Sequence, residues 1–199
     1  MKTVYLLRHS YTIENTGILQ PYASRNPVNM QLENEKLVLS SGGEEAAKKL
    51  SMSNTFGKLD AVYSSHYIRA VSTAKYFAEK FNLKINIDER FGERKLGTDE
   101  LSGLWEKQFF NPFVKNAEGE SRYEVTARFN CAINDLLKTK EKNILVVSHG
   151  VAITFFIMQF CKLISVCKSD KSRHLSFRNK ELINAPFKNL QAFKLIYRL

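Results

Sequence analysis

"NILVVSHGVAITFFIMQF", Asn143–Phe160, decides how the fold is read. Its first six residues form an apolar, β-prone run without alternation, as in a strand covered on both faces. His149 and Gly150 follow at once, and then an apolar run reaching Cys161. That run is too short to span a bilayer and is stopped by Lys162, so it reads as a buried helix. The same order recurs elsewhere. Thr3–Leu7 (TVYLL) is a second buried strand, and a helix is expected from near Ser41 in LSSGGEEAAKKL. Leu59–Ser65 (LDAVYSS) is a third strand; it enters YIRAVSTAKYFAEKF, where Ile68, Val71, Ala74, Phe77 and Phe81 share a helical face. Lys84–Asp88 (KINID) alternates like a strand near an edge, and QAFKLIYRL at the C-terminus reads as a closing edge strand. In ESRYEVTARFNCAINDLLKT, Val125, Phe129, Ala132, Ile133, Leu136 and Leu137 line one side of a long helix. Strands alternating with helices predict a three-layer α/β/α sandwich with a mainly parallel central sheet. One domain over residues 1–199 is expected, with a loop-rich excursion at about 89–120, where Gly92, Gly97, Gly103 and Pro112 break any period.

Composition narrows the function classes. The net charge of +10 is spread along the chain, with no Lys/Arg block interleaved with aromatics, so nucleic acid is not an expected partner. A basic surface still draws in small anionic substrates. Cys131, Cys161 and Cys167 are odd in number and lack CxxC spacing, which points to neither a disulfide framework nor zinc. With no secretory pattern at Met1–Leu7 and no membrane span, a cytoplasmic location is expected.

In parallel α/β sheets, ligands bind at the carboxyl ends of the strands. The first strand ends in Arg8 and His9; Leu59–Ser65 is followed by His66, with Arg69 one turn into the next helix; the strand quoted above ends in Ser148 and His149. Each pair taken alone has an ordinary reading as a turn, a cap or a solvated helix residue. Their joint placement brings guanidiniums, imidazoles and a helix N-terminus to one spot, which suits a tetrahedral phosphate. A histidine beside two arginines is pushed toward its neutral form, and neutral imidazole is a competent nucleophile toward phosphorus. A carboxylic acid on the excursion would serve the leaving oxygen: Glu93 is the candidate, with Glu89 and Glu100 as competitors that spacing does not separate.

These blocks resemble the histidine phosphatase (phosphoglycerate mutase-like) superfamily. "LLRHSYTIEN" is similar to its LxRHGETxxN signature, "LSSGGEEA" to LTxxGxxQA, and "VYSSHYIRAVSTA" to SSPLxRAxQTA. "ERFGERKLG" resembles the acid-bearing segment, "EGESRYEVTARF" the GGES helix start, and "ILVVSHGVAI" the VVSHGG element. The resemblance runs from Thr3 to about Ile153 with all blocks in family order, and the last fifty or so residues align with little. It implies that His9 is the phosphorylated nucleophile, that Arg8, Arg69 and His149 hold the transferred phosphoryl group, and that Glu93 is general acid and then base. Asn15, Thr12, Arg94 and Gly150 fall in register as phosphate- or substrate-binding positions. No metal or organic cofactor is implied. Ser10 and Tyr11 stand where the signature has Gly and Glu, His66 where it has Pro, and Val151 where it has a second Gly.

The expected activity is hydrolysis of a small phosphorylated substrate through phosphohistidine. A cofactor-dependent phosphoglycerate mutase and a non-catalytic phospho-ligand-binding module are the alternatives. The excursion's Trp105, Phe109, Phe110 and Phe113 suit either a lid over the leaving group or packing onto the sheet.

Overall fold

The computed structural model of the chain describes residues 1–16, 30–98 and 103–198. The central sheet takes β1 (Lys2–Arg8), β2 (Ala61–Ser64), β3 (Ile85–Ile87), β4 (Asn143–Ser148) and β8 (Ala192–Tyr197), in the order β3-β2-β4-β1-β8. β1, β2, β3 and β4 are mutually parallel where they pair, and β8 closes the β1 edge antiparallel. The expected edge strands, at Lys84–Asp88 and at the C-terminus, are the two edges. Helices α1 (Met30–Lys36), α2 (Ser41–Met52), α3 (Ile68–Phe81), α4 (Leu104–Phe110), α5 (Arg122–Lys138) and α6 (Gly150–Met158) complete the sandwich.

Period-two alternation divides the core between the two faces of the sheet. Val4, Leu6, Ile144 and Val146 pack with Phe129 and Ile133 of α5 and Ile153 and Phe156 of α6. Leu7, Leu145, Val147 and Val62 pack with Ala70, Ala74 and Phe77 of α3. At the open end of α5, the buried Lys2 ammonium donates to the carbonyls of Leu136 and Thr139, both at 2.6 Å. A cation on a helix C-terminus satisfies carbonyls that lack intrahelical partners.

Three features depart from the sequence reading. The buried face of α3 is Arg69, Ala70, Thr73, Ala74, Phe77 and Ala78, while Ile68 is 41% exposed. The face is rotated because Arg69 and Thr73 turn toward the end of β1, a polar demand that hydrophobic periodicity does not register. The excursion is not all loop, since it contains α4 and a 3-10 turn at Glu89–Phe91. After α6 the chain builds a second sheet, β5 (Lys162–Cys167), β6 (Ser172–Phe177) and β7 (Lys180–Ala185), antiparallel throughout. No helix among the described residues is long and apolar enough to cross a membrane.

Candidate active site

Register brings the strand ends together. Arg8 lies opposite Ser148, and Ser64 opposite Val147, so the next residues, His9, His149 and Ser65, emerge side by side. The backbone N–H of His9 donates to Ser148 O at 2.9 Å and that of Ser65 to Val147 O at 3.0 Å, extending the ladder one residue past each strand. The rings of His9 and His149 are 5.2 Å apart, with exposures of 6% and 0%.

Hydrogen bonding fixes the tautomer of His9. Nδ1 lies 2.7 Å from Ser10 O, an atom that can only accept, so Nδ1 carries the proton. Nε2 therefore holds the lone pair, and it accepts from Arg69 Nε at 3.1 Å. Burial, then Arg69, then Arg8 hold the His9 pKa well below its usual value, so the ring is neutral. His149 is held neutral in the same way, by burial first and Arg69 next. Its Nε2 lies 2.8 Å from Ser65 Oγ, which already accepts from the backbone N–H of Tyr67 at 3.2 Å. Nδ1 of His149 is buried with no hydrogen-bond partner among the described residues. The site presents the lone pair of His9 Nε2 with the neutral ring of His149 beside it.

Two buried neutral histidines carry a cost in acid. The unfolded chain takes up their protons first, so stability falls as pH drops through about 6.5 and keeps falling toward the depressed folded values. Between pH 7.5 and 5.5 the expected loss is on the order of 1 kcal/mol per histidine. Urea unfolding at both pH values checks this. A His9→Ala, His149→Ala double variant should lack that loss, and an equal loss in both proteins would count against it.

Arginines dominate the rest. Arg69 also donates through Nη1 to Asn34 O of α1, and its guanidinium lies 4.8 Å from the Tyr67 ring centroid. Arg8 donates through Nη1 to Phe187 O, and its Nε is buried without a partner. Among the described residues no carboxylate lies within ion-pair distance of either. Glu93 is the nearby acid. Oε1 accepts from the N–H of Ala152 and of Arg94, both at 2.9 Å, and Oε2 from Val151 N–H at 3.3 Å, so the carboxylate caps α6 beside His149. Its loop is clamped from α5: Arg128 donates to the carbonyls of Arg90, Gly92 and Glu93 while pairing with Glu120. From β4, Ser148 Oγ donates to Phe91 O at 2.7 Å.

The remaining expected positions distribute as follows. Gly150 opens α6, and a Cβ there would sit 3.3 Å from Arg8 Nε. Thr12 is buried and bridges to Leu39. Asn15 falls in the 3-10 turn Ile13–Thr16, with its side chain outside the described parts. Arg94 is buried against Gln108 of α4, which in turn donates to Val114 O and Glu120 O. Of the competing acids, Glu89 is exposed on its turn and Glu100 lies outside the described residues. His66 does not join the other imidazoles; its Nε2 is 3.6 Å from Glu35 at the rim. The departure at Ser10 has a structural use, since Oγ donates to Gly43 O at 2.7 Å. This seats the loop after His9 on the start of α2, where any Cβ at Gly43 would collide with Tyr11 O at 2.0 Å. The aromatics of the excursion divide. Phe109 is in the core with Trp105 packed beside it, while Phe110 and Phe113 are 65% and 68% exposed. Sequence reasoning did not single out Tyr67, whose ring centroid is 4.6 Å from that of His149, or Arg173, discussed below.

A protein from Enterobacter sp. (strain 638) named for phosphoglycerate mutase activity is 28% identical over 77% of this chain and 72% of its own. One from Hydrogenobacter thermophilus named for phosphoserine phosphatase activity is 27% identical over 75% and 74%. The solved structure of mycobacterial glucosyl-3-phosphoglycerate phosphatase with VO3 has the same fold, with a TM-score of 0.62, 21% identity, and 88% of this chain and 90% of that chain covered. The family description "Histidine phosphatase superfamily (branch 1)" matches residues 4–166, the span that carries both histidines, Arg8, Arg69 and Glu93. By that match the chain belongs to the histidine phosphatase superfamily.

Proposed function

We propose that the protein hydrolyses a small phosphomonoester in two displacements at His9. The observation that carries this reading is the neutral His9 ring with its proton fixed on Nδ1 and its lone pair on Nε2. A phosphoryl oxygen that competes for the Arg69 N–H releases that lone pair. Nε2 then attacks phosphorus, the bond to the leaving oxygen breaks, and Glu93, entering the step in its acid form, gives that oxygen its proton and is left ionised. In the second step ionised Glu93 takes a proton from water, the water oxygen attacks phosphorus, the P–N bond breaks and phosphate leaves. Arg8, Arg69 and His149 hold the equatorial oxygens, where charge is concentrated in the transition state. Gly150, whose backbone lies against Arg8, and Thr12 would support the same phosphate, the role that the family resemblance also gives to Asn15. Arg94 acts through the excursion, because its guanidinium is engaged by Gln108.

The mutase-named relatives give the second reading a specific footing, since a mutase returns the phosphoryl group to the substrate instead of to water. The experiment supplies a panel of phosphomonoesters, including phosphoserine and 3-phosphoglycerate, and measures phosphate release, isomerisation and acid-labile phosphohistidine together. Phosphate release faster than isomerisation, with the label on His9, is expected. Isomerisation outrunning release would select the mutase, and tight binding without phosphohistidine would select a binding module.

A further inference from the structure

Arg173 of β6 is a further buried guanidinium near the site, 6% exposed, from the part of the chain that follows the family match. Its Nη1 donates to Thr154 Oγ1 at 2.9 Å, and that hydroxyl donates to Gly150 O at 2.6 Å. Gly150 is the residue whose Cβ position lies 3.3 Å from Arg8 Nε, so a short chain of contacts ties Arg173 to the phosphoryl-binding edge. Nη2 donates to Lys171 O at 2.9 Å. Nε is buried and has no partner, and no carboxylate among the described residues pairs with the group. The guanidinium carbon lies 5.6 Å from the ring centroid of Trp105 and 6.0 Å from that of Phe109. Burial and then Arg8 push its pKa down to about 10, with Glu93 opposing.

A structural anchor of β6 to α6 would need only the contact to Thr154. It would not need a buried cation without a counter-ion, since an unpaired charge out of water is destabilising. With no counter-ion among the described residues, a bound anion would supply it. From the geometry we infer that Arg173, flanked by Trp105, is a subsite for a carboxylate carried by the leaving group. An unpaired Nε–H beside an indole face suits a flat carboxylate better than a tetrahedral phosphate, whose oxygens ask for several donors. The inference rests on the phosphomonoester reading and adds the substrate class: phosphorylated hydroxy or amino acids rather than neutral alcohols or sugars.

The test compares two compounds of the same configuration that differ only in a carboxylate against a hydroxymethyl group, D-3-phosphoglycerate and sn-glycerol 1-phosphate. The ratio of their kcat/KM values is measured in wild type, Arg173→Met and Arg173→Lys. Because both substrates are measured on one preparation, the ratio is insensitive to partial misfolding. Wild type should favour the carboxylate by about 10- to 100-fold, the worth of one charge-assisted hydrogen bond. Arg173→Met should lower the ratio at least about tenfold, and Arg173→Lys, which keeps the charge without the Nε–H, should fall between. A wild-type ratio near one, or equal loss on both compounds in Arg173→Met, would overturn the subsite and leave Arg173 a structural tie. Failure of the hydrolase reading looks different: no phosphate release from any phosphomonoester by wild type. Calorimetric Kd values for the two compounds on wild type and Arg173→Met then decide the subsite alone, a tenfold change in their ratio supporting it and no change refuting it.

Discussion

Replacement of His9 by alanine is expected to lower kcat at least about 10⁴-fold on every phosphomonoester that the protein hydrolyses, and to abolish acid-labile phosphohistidine. The size follows from what remains. Arg8, Arg69 and His149 still offer donors to a phosphate, so binding survives, but phosphorus has no protein nucleophile to move to. Water cannot inherit the role efficiently, because the lone pair it would replace is fixed by Ser10 O on one side of the ring and Arg69 on the other. The loss should therefore appear in kcat, with a much smaller change in KM. Structural collapse is separable by measuring phosphate binding and circular dichroism on the same variant. A folded His9→Ala protein that retains near-wild-type turnover would remove His9 from the chemistry and with it the two-displacement mechanism.

The parts of this site that can be read in the chain are those fixed by local pattern. An unbroken apolar strand followed by a titratable residue puts that residue at a carboxyl edge, and this suffices to bring His9, His149 and Ser65 together once the strands pair in parallel. Glu93 is harder, because its position depends on a loop held by Arg128 and Ser148, which lie on other elements and far along the chain. Spacing does not distinguish it from Glu89, whereas the cap on α6 does. Arg173 leaves no local mark at all. It sits in an alternating strand of ordinary composition, and what sets it apart is the lack of a counter-ion among the described residues, a property of three-dimensional packing. The α3 face departs from hydrophobic periodicity for a related reason: buried Arg69 and Thr73 bond to His9 and Ser10 and not to the apolar core. His66 shows the converse, since a histidine at a strand exit can turn outward to a rim carboxylate when a neighbour, here Tyr67, takes the inner position.

Glu93→Gln carries the second large effect, and its pattern across substrates matters more than its size. The amide keeps a carbonyl oxygen for the N–H groups of Ala152 and Arg94, so the loop has a reason to stay on α6, but it cannot deliver or accept the catalytic proton. Alkyl phosphates, whose alkoxide leaving groups need that proton, should lose about 10²- to 10⁴-fold in kcat/KM. Aryl phosphates with acidic phenols leave unaided, so phosphorylation of His9 should be slowed far less. Breakdown of the intermediate still needs a base for water, and that step becomes rate-limiting for the aryl substrate. The variant should then release a burst of phenol close to the enzyme concentration, followed by slow turnover, with phosphohistidine accumulating to a detectable level. Rapid-quench measurement of phenol and of labelled protein tests both halves. Equal losses on alkyl and aryl substrates, with no burst, would mean that Glu93 only holds α6 and that another group handles the proton.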